Sequence, residues 1–183
     1  MNKTILAVVG LPGAGKTETI EYLLPKTNWP KVYFGDVTFD EMKVRGLEIN
    51  EKNERFVRED LRVQFGQLHY TKKVIEKIKK MTDSSNILVE SLYSWDEYLE
   101  FKNEFGDSFK VLAIYSSPET RIARMENRPI RPLSREDVIS RDYSQIANLH
   151  QAGPIARADW TIVNEGTKED LQIELDKIIK ILN

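Results

Sequence analysis

The sequence predicts an α/β protein in which helices cover both faces of a parallel β-sheet. Its 183 residues suit one domain, so we treat residues 1–183 as a single unit. Short runs of β-branched and aliphatic residues alternate with longer stretches of helical periodicity, which is the pattern of βαβ units. The short runs are apolar at nearly every position, as strands are when both faces of their sheet are buried.

Five runs are strand candidates: Thr4–Val9, Val32–Phe34, Ile87–Val89, Val111–Tyr115 and Thr161–Val163. The helix candidates are Lys16–Leu24, Phe39–Arg45, Glu51–Met81 with a break, Trp95–Phe105, Pro118–Asn127, Ser134–Asn148 and Lys168–Leu182. Ser117 is predicted to cap the helix that begins at Pro118. Thr167 and Asp170 are predicted to form an acidic capping box for the last helix. The predicted loops include Pro25–Lys31, Thr82–Asn86 and Arg128–Leu133, the last of which contains two prolines.

Composition excludes several classes of function. The chain contains no cysteine, which excludes disulfide frameworks, thiolate zinc sites and cysteine nucleophiles. Its 27 Lys+Arg and 29 Asp+Glu give a formal net charge of −2, whereas a dedicated nucleic-acid binder is usually basic. No apolar run approaches the roughly twenty residues that span a bilayer. The short run Ile5–Val9 continues directly into Gly10 without a small-residue cleavage site. We expect a cytoplasmic protein that binds neither nucleic acid nor membrane.

A phosphate-binding loop is the most specific motif in the chain. Residues 10–17, Gly-Leu-Pro-Gly-Ala-Gly-Lys-Thr, match the P-loop pattern G-x-x-x-x-G-K-[ST] without a mismatch. The motif leaves a predicted strand and enters a predicted helix. Its glycines let backbone N–H groups surround phosphate oxygens, while Lys16 would reach the β- and γ-phosphates and Thr17 would offer its hydroxyl to Mg²⁺. The alternative is a Gly-Pro turn that carries Lys-Thr by chance.

The class of P-loop protein follows from chain length and from missing motifs. A small GTPase would be expected to show Asp-x-x-Gly and Asn-Lys-x-Asp, and neither occurs in the sequence. A helicase or an AAA+ motor would need a longer chain. The remaining class is the small phosphotransferase, in which the P-loop, the acceptor pocket and a lid share one compact domain.

Several segments follow one another in a characteristic order: residues 10–17, Phe34–Asp36, Ile87–Glu90, Ser117–Arg121, Arg141-Asp142 and Ala158–Thr167. In this order they resemble the nucleoside-monophosphate-kinase-like P-loop kinases, and within these the dephospho-CoA-kinase-like proteins and related uncharacterised kinases. The resemblance covers most of the chain. It implies a three-layer P-loop NTPase fold with five strands in the spatial order 2-3-1-4-5. It also implies an ATP- and Mg²⁺-dependent kinase with an acceptor-binding segment at about 36–80 and an Arg-rich lid at about 128–141.

Two acidic residues follow predicted strands. Glu90 lies at the carboxyl end of its strand, where open α/β sheets bind their ligands, and could hold Mg²⁺ through water or orient the acceptor. The alternative is an ordinary Glu in solvent. The resemblance implies that Asp36 contacts the acceptor, and as a base it would suit a hydroxyl acceptor. Asp36 could also cap the helix Phe39–Arg45, and the two roles can coexist.

The stretch from Val111 to Thr167 contains arginine but no lysine. Its seven arginines are Arg121, Arg124, Arg128, Arg131, Arg135, Arg141 and Arg157. The planar guanidinium binds phosphate through two hydrogen bonds and stacks on bases, so this choice indicates recognition. The first three arginines are spaced to share roughly one helix face. The alternative is a solvated helix face that pairs with neighbouring acids, namely Glu126, Glu136 and Asp137.

The resemblance implies individual roles for these residues. Arg124 would stack on the adenine and Arg128 would contact the transferred phosphate. The lid would contain Arg131, Arg135 and Arg141 and would add positive charge to the transition state. The loop Asn164–Thr167 would cradle the adenine through its backbone, and capping by Thr167 is the competing explanation.

On the acceptor side, three arginines share a helix face beside three acids: Arg55, Arg58 and Arg62, with Glu54, Glu59 and Asp60. The arginines suit an anionic acceptor, and salt bridges between these arginines and the neighbouring acids are an equally simple explanation. Many nucleotide kinases carry arginines near the positions that Thr38-Phe39 and Leu92-Tyr93 occupy here. This departure favours a nucleoside, a CoA precursor or another hydroxyl compound over a monophosphate.

We therefore expect an ATP-dependent kinase that moves the γ-phosphoryl group of ATP-Mg to a small nucleotide-like acceptor: dephospho-CoA, a nucleotide or a nucleoside. The alternative is a nucleotide-binding regulatory NTPase without a small-molecule acceptor. The predicted catalytic residues are Lys16, Asp36, Glu90, Arg128 and Arg141. The predicted nucleotide-binding residues are Gly10, Pro12, Gly13, Ala14, Gly15, Lys16, Thr17, Arg124, Asn164 and Gly166, and the predicted Mg²⁺ ligands are Thr17 and Glu90.

Overall fold

The computed structural model describes residues 3–81, 86–129 and 132–182. The strands are β1 Ile5–Val9, β2 Lys31–Tyr33, β3 Ile87–Glu90, β4 Phe109–Tyr115 and β5 Trp160–Val163. The helices are α1 Lys16–Thr27, α2 Asp36–Val44, α3 Glu51–Phe65, α4 His69–Lys80, α5 Trp95–Phe105, α6 Pro118–Glu126, α7 Arg135–Leu149, α8 Ala152–Ala156 and α9 Lys168–Leu182. Arg131 and most of the predicted loop Thr82–Asn86 lie outside the described residues.

All five strands form one parallel sheet in the order β2-β3-β1-β4-β5, which confirms the predicted topology. The central strand β1 pairs Val8 with Glu90 of β3 and with Leu112 of β4. Because the strands are parallel, their carboxyl ends meet at one edge, where the loops that carry the predicted site residues also begin.

Alternate residues of β1 enter two separate cores. Ala7 and Val9 pack with residues of α3, α4 and α5 on one face of the sheet, including the fully buried Phe101. Leu6 and Val8 pack with residues of α1 and α9 on the other face. The strands are apolar on both sides because each side has its own helical layer. This arrangement confirms the predicted fold with helices on both sides of the sheet.

The helix caps agree with the sequence, and some helix boundaries differ. Ser117 Oγ accepts a hydrogen bond from the backbone N–H of Thr120, and Asp170 Oδ2 accepts from Thr167 N at 2.9 Å. Helix α1 runs through Pro25 in its last turn, where the missing N–H removes one intrahelical hydrogen bond, and the helix ends two residues later at Thr27. Gly66 ends α3 and divides the long helical region. Within the described residues, no helix is long and apolar enough to cross a membrane.

Candidate active site

The P-loop turns tightly between β1 and α1. Gly10, Gly13 and Gly15 have φ angles of 151°, 79° and 110°. A Cβ atom at Gly10 would collide with the carbonyl oxygen of Ile114, and one at Gly15 would collide with the side-chain amide of Asn164. Glycine is therefore required at Gly10 and Gly15 both for the backbone conformation and for the close approach of β4 and of the loop after β5.

Lys16 lies at the start of α1, with its Nζ donating a hydrogen bond to the carbonyl oxygen of Leu11 at 3.2 Å. Burial, together with the charge of Arg121, lowers the pKa of Lys16 from 10.5 to about 8, although Glu90 and Asp142 oppose this shift. An added phosphate would favour the ammonium form. Thr17 follows in the first helical turn and is exposed.

The predicted adenine-binding residues form a network behind the P-loop. Asn164 is buried, and its Nδ2 donates to the carbonyl oxygen of Ala14 at 2.8 Å. Ser116 Oγ donates to the carbonyl oxygen of Asn164 at 2.5 Å and accepts from Arg124 Nη1 at 3.0 Å. Arg124 Nη2 also donates to the carbonyl oxygen of Gly166 at 3.4 Å. The structure therefore brings Arg124, Asn164 and Gly166 together beside the P-loop.

Arg121 is a buried connector between the P-loop and α7. Only 3% of the residue is exposed. Its guanidinium makes two hydrogen bonds to the carboxylate of Asp142, at 2.8 and 2.6 Å. It also donates to the carbonyl oxygens of Pro12 at 3.2 Å and Ser116 at 3.1 Å. This role was not predicted from the sequence, because an arginine in a short amphipathic helix is typical of a solvated face.

These elements enclose a cleft of about 750 Å³, within the usual size range of small-molecule sites. The predicted residues that line it are Pro12, Gly13, Gly15, Lys16, Thr17, Arg124, Arg128, Arg141, Asn164 and Gly166. The predicted residues outside its lining are Gly10, Ala14, Asp36 and Glu90. Tyr93 and Gln145 also line the cleft and were not predicted as site residues. The position of Tyr93 shortly after Glu90 was the sequence signal that could have identified it.

The lid arginines have different environments. Arg141 on α7 faces the cleft, as does Arg128, which lies beyond the end of α6 at Glu126. Arg135 instead makes two hydrogen bonds to the carboxylate of Glu119, at 2.9 and 2.6 Å, in an exposed position. The expectation that Arg128 shares one helix face with Arg121 and Arg124 is wrong, because α6 ends at Glu126, two residues before Arg128.

The two predicted acids are both paired with lysines. Glu90 Oε2 lies 2.6 Å from Lys31 Nζ, and Asp36 Oδ2 lies 2.9 Å from Lys77 Nζ. Asp36 is the first residue of α2, and the capping position belongs to Gly35, without a side-chain cap bond. The capping role considered for Asp36 is therefore wrong.

In the predicted acceptor segment, ion pairing accounts for part of the arginine face. Arg55 Nε lies 2.9 Å from Glu59 Oε1 in an exposed pair on α3. The guanidinium of Arg62 lies over the ring of Tyr70, 5.7 Å from its centroid. The salt-bridge alternative thus applies to Arg55, while Arg62 makes a cation–π contact.

Mg²⁺ would suit the oxygen donors near the P-loop. The hydroxyl of Thr17 opens onto the cleft, and Glu90 supplies a carboxylate at the adjacent strand end. In the described part of the chain, no three His, Asp or Glu side chains are grouped closely enough to hold a metal by themselves. A bound Mg²⁺ would therefore take most of its ligands from nucleotide phosphates and water, as is usual for this ion.

Comparison with known proteins identifies the family. A family model described as an AAA domain matches residues 6–144, from β1 into α7. A UPF0200 protein of Thermococcus kodakarensis is 30% identical, with 96% of each chain covered. Another, from Methanocaldococcus jannaschii, is 32% identical over 98% of this chain and 91% of its own. The chain belongs to the UPF0200 family and contains an AAA domain.

Solved structures share this fold along almost the whole chain. Shikimate kinase from Bacteroides thetaiotaomicron superimposes with a TM-score of 0.61 at 13% identity, covering 98% of both chains. A gluconokinase from Sinorhizobium meliloti gives 0.59 at 11% identity, covering 98% of this chain and 95% of the other. At such identities the likeness concerns the fold alone. The predicted three-layer P-loop NTPase fold of this UPF0200 family member is thereby confirmed.

Proposed function

We propose that the protein is an ATP-dependent phosphotransferase that moves the γ-phosphoryl group of ATP-Mg to a hydroxyl group of a small, nucleotide-like acceptor. The observation that carries this proposal is one cleft that joins Lys16 of the P-loop to Arg124, Arg128 and Arg141. Phosphoryl transfer depends mainly on positioning and on neutralising negative charge, and this cleft offers both. Dephospho-CoA, nucleosides and nucleotides are the acceptors to test first.

Each part of the cleft has a distinct task in this reaction. Backbone N–H groups of the P-loop and the amino end of α1 bind the β-phosphate, and Lys16 binds the β- and γ-phosphates. Arg124 rests against the base, while Arg128 and Arg141 stabilise charge on the transferred group. Thr17 would hold Mg²⁺, which when bound neutralises the phosphate oxygens.

Glu90 is the better candidate for the proton acceptor. Glu90 pairs in register with Val8 of β1, two residues before the P-loop, and its charge opposes the lowering of the Lys16 pKa by burial. Asp36 instead begins α2 and pairs with Lys77. The acceptor hydroxyl attacks the γ-phosphorus, the bond to the bridging oxygen breaks, ADP leaves, and the hydroxyl proton passes to Glu90. The loose transition state of this reaction does not demand a strong base, so the ion pair with Lys31 is compatible with the role. Asp36 then has a supporting role at the acceptor side.

A regulatory NTPase is the second candidate, and the AAA-domain match favours it. The two functions differ in one measurable respect, because a kinase requires its acceptor for turnover and a regulatory NTPase does not. In either case the cleft binds a nucleoside triphosphate.

Acceptor-stimulated ADP release tests the proposal. We expect Lys16→Ala to abolish turnover and Arg141→Ala to reduce kcat by about 100-fold or more. Arg135→Ala is the matched control, because this arginine belongs to the same helix and pairs with Glu119 outside the cleft. Turnover that survives Lys16→Ala would contradict the proposal. Turnover that is lost in Lys16→Ala and is independent of every acceptor would favour the regulatory NTPase.

A further inference from the structure

The loop between β3 and α5 forms one end of the cleft. It comprises residues 91–94, and its Tyr93 lines the same space as Lys16 and Arg141. Leu92 is completely buried in the core and anchors the loop. Ser91 has a φ angle of 73°, a left-handed conformation that residues other than glycine seldom adopt. Such conformations persist where the surroundings enforce them and are concentrated at functional sites.

Hydrogen bonds from Glu97 hold this loop in place. Its Oε2 accepts from the backbone N–H of Tyr93 at 2.7 Å and from that of Ser94 at 2.8 Å. Ser94 Oγ in turn accepts from Glu97 N at 3.1 Å, which completes a capping box on α5. Burial raises the pKa of the Glu97 carboxyl, opposed by these hydrogen bonds. The backbone at Tyr93 is therefore fixed before any ligand arrives.

The side chain of Tyr93 presents a neutral hydroxyl group. Its Oη lies 3.0 Å from Ser91 Oγ, so the two hydroxyls form a pair in which either can donate. Burial raises the pKa of Tyr93, which keeps the phenol protonated at neutral pH. This pair can donate one hydrogen bond and accept others from a ligand that occupies the cleft.

Gln145 lies on α7, one helical turn after Arg141, whose charge acts on Tyr93. It lines the same cleft, yet its Oε1 is buried and lacks a hydrogen-bond partner among the described residues. A buried amide oxygen without a partner is unfavourable, so a rotation that turns the amide toward a ligand hydroxyl gains a hydrogen bond. The Tyr93 end of the cleft thus offers a phenol, a hydroxyl and an amide, whereas Arg124 and Lys168 lie among the nucleotide-binding residues.

Building on the proposed kinase activity, we infer that Tyr93 and Gln145 determine acceptor specificity by binding hydroxyl groups of an unphosphorylated acceptor. A phosphate group next to Tyr93 would be repelled by the carboxylate of Glu90, the residue before the loop, whose charge adds to burial in raising the pKa of Tyr93. Three described cations lie near this loop, and each has another task. Arg141 is needed for the transferred phosphoryl group, Lys31 is paired with Glu90, and Arg62 lies over the ring of Tyr70. The acceptor is therefore a neutral, hydroxyl-rich molecule, and its hydroxyl next to Tyr93 and Gln145 is recognised without a charge.

Matched pairs of compounds test this inference. Adenosine with AMP, cytidine with CMP, and glucose with glucose 6-phosphate differ by one phosphate, and binding and turnover can be measured with protein loaded with ATP or a non-hydrolysable ATP analogue. We expect the unphosphorylated member of at least one pair to bind at least tenfold more tightly than its phosphorylated counterpart. Tyr93→Phe and Gln145→Leu should each raise KM for that compound by about tenfold. Their kcat and the Kd for ATP should stay within about twofold, because the P-loop is untouched.

Tyr143→Phe is the matched control, because this tyrosine is exposed on α7 outside the cleft and should leave KM unchanged. Tyr93→Arg should shift the preference toward the phosphorylated member by tenfold or more. A wild-type preference for phosphorylated compounds, an unchanged KM in Tyr93→Phe, or no binding of any pair to ATP-loaded protein would overturn the inference. A protein that fails to bind ATP would instead contradict the proposed function itself.

Discussion

Two ion pairs connect α6 to α7, and they differ in burial. Arg121 and Asp142 form the inner pair, with side chains that are 4% and 17% exposed. Arg135 and Glu119 form the outer pair, with side chains that are 47% and 73% exposed. Both pairs have two hydrogen bonds between the guanidinium and the carboxylate. The same chemistry is thus present twice between the same two helices, which makes the outer pair an internal control.

Asp142→Asn should destabilise the protein strongly. The substitution leaves the guanidinium of Arg121 buried without a counter-charge, and breaking a buried pair in this way costs about 3–5 kcal/mol. Arg121 keeps its hydrogen bonds to the carbonyl oxygens of Pro12 and Ser116, so we expect the lower end, about 3 kcal/mol. For a chain of this size, that corresponds to a Tm lower by about 6–12 °C. Glu119→Gln should cost about 0–1 kcal/mol, because the outer pair is solvated.

Urea unfolding and thermal unfolding, each with ATP titration, test this prediction. ATP affinity should fall in Asp142→Asn, because Arg121 holds Pro12 of the P-loop. The double variant Arg121→Met/Asp142→Leu should be more stable than Asp142→Asn, since it leaves no unpaired buried charge. A loss of stability in Asp142→Asn no larger than in Glu119→Gln would refute the reasoning.

Three further predictions concern the cleft. ATP affinity should decrease above about pH 8, because Lys16 of the unliganded protein loses its proton there. The free energy of unfolding should rise between about pH 8 and 10.5, because in this range the unfolded state still binds the Lys16 proton and the folded state does not. Lys16→Met should remove both trends. Gly15→Ala should cost at least about 2 kcal/mol and weaken ATP binding, whereas Gly106→Ala, with open space around it, should cost about 1 kcal/mol, as measured by urea unfolding. Ser94→Ala should cost about 1 kcal/mol and raise the acceptor KM without changing the Kd for ATP.

The sequence predicted the elements that depend on local pattern. The five strands were recognisable as apolar runs, and α6 was recognisable from Ser117 and Pro118 at its start. By contrast, α8 was missed because Gly153 and Pro154 fall within its five residues and are typical of a loop. Gly153 packs against the ring of Trp95, which is distant in sequence, so contact with α5 compensates for its poor helical propensity.

The site residues can be divided in the same way, into those that a local sequence pattern predicts and those that only distant contacts reveal. The P-loop could be predicted because phosphate binding by backbone N–H groups demands glycines, a lysine and a threonine at fixed spacing in a single turn. The tertiary structure decides three further features: the burial of Arg121, the separation of Arg135 from the cleft, and the presence of Tyr93 and Gln145 in one cleft. All three depend on how α7 folds back over the P-loop. Such contacts join residues that are far apart in the chain, and a charged residue has the same local pattern whether it faces solvent or a buried partner. The sequence by itself therefore determined the nucleotide-binding chemistry, and only the tertiary structure decided which charged and polar side chains serve it.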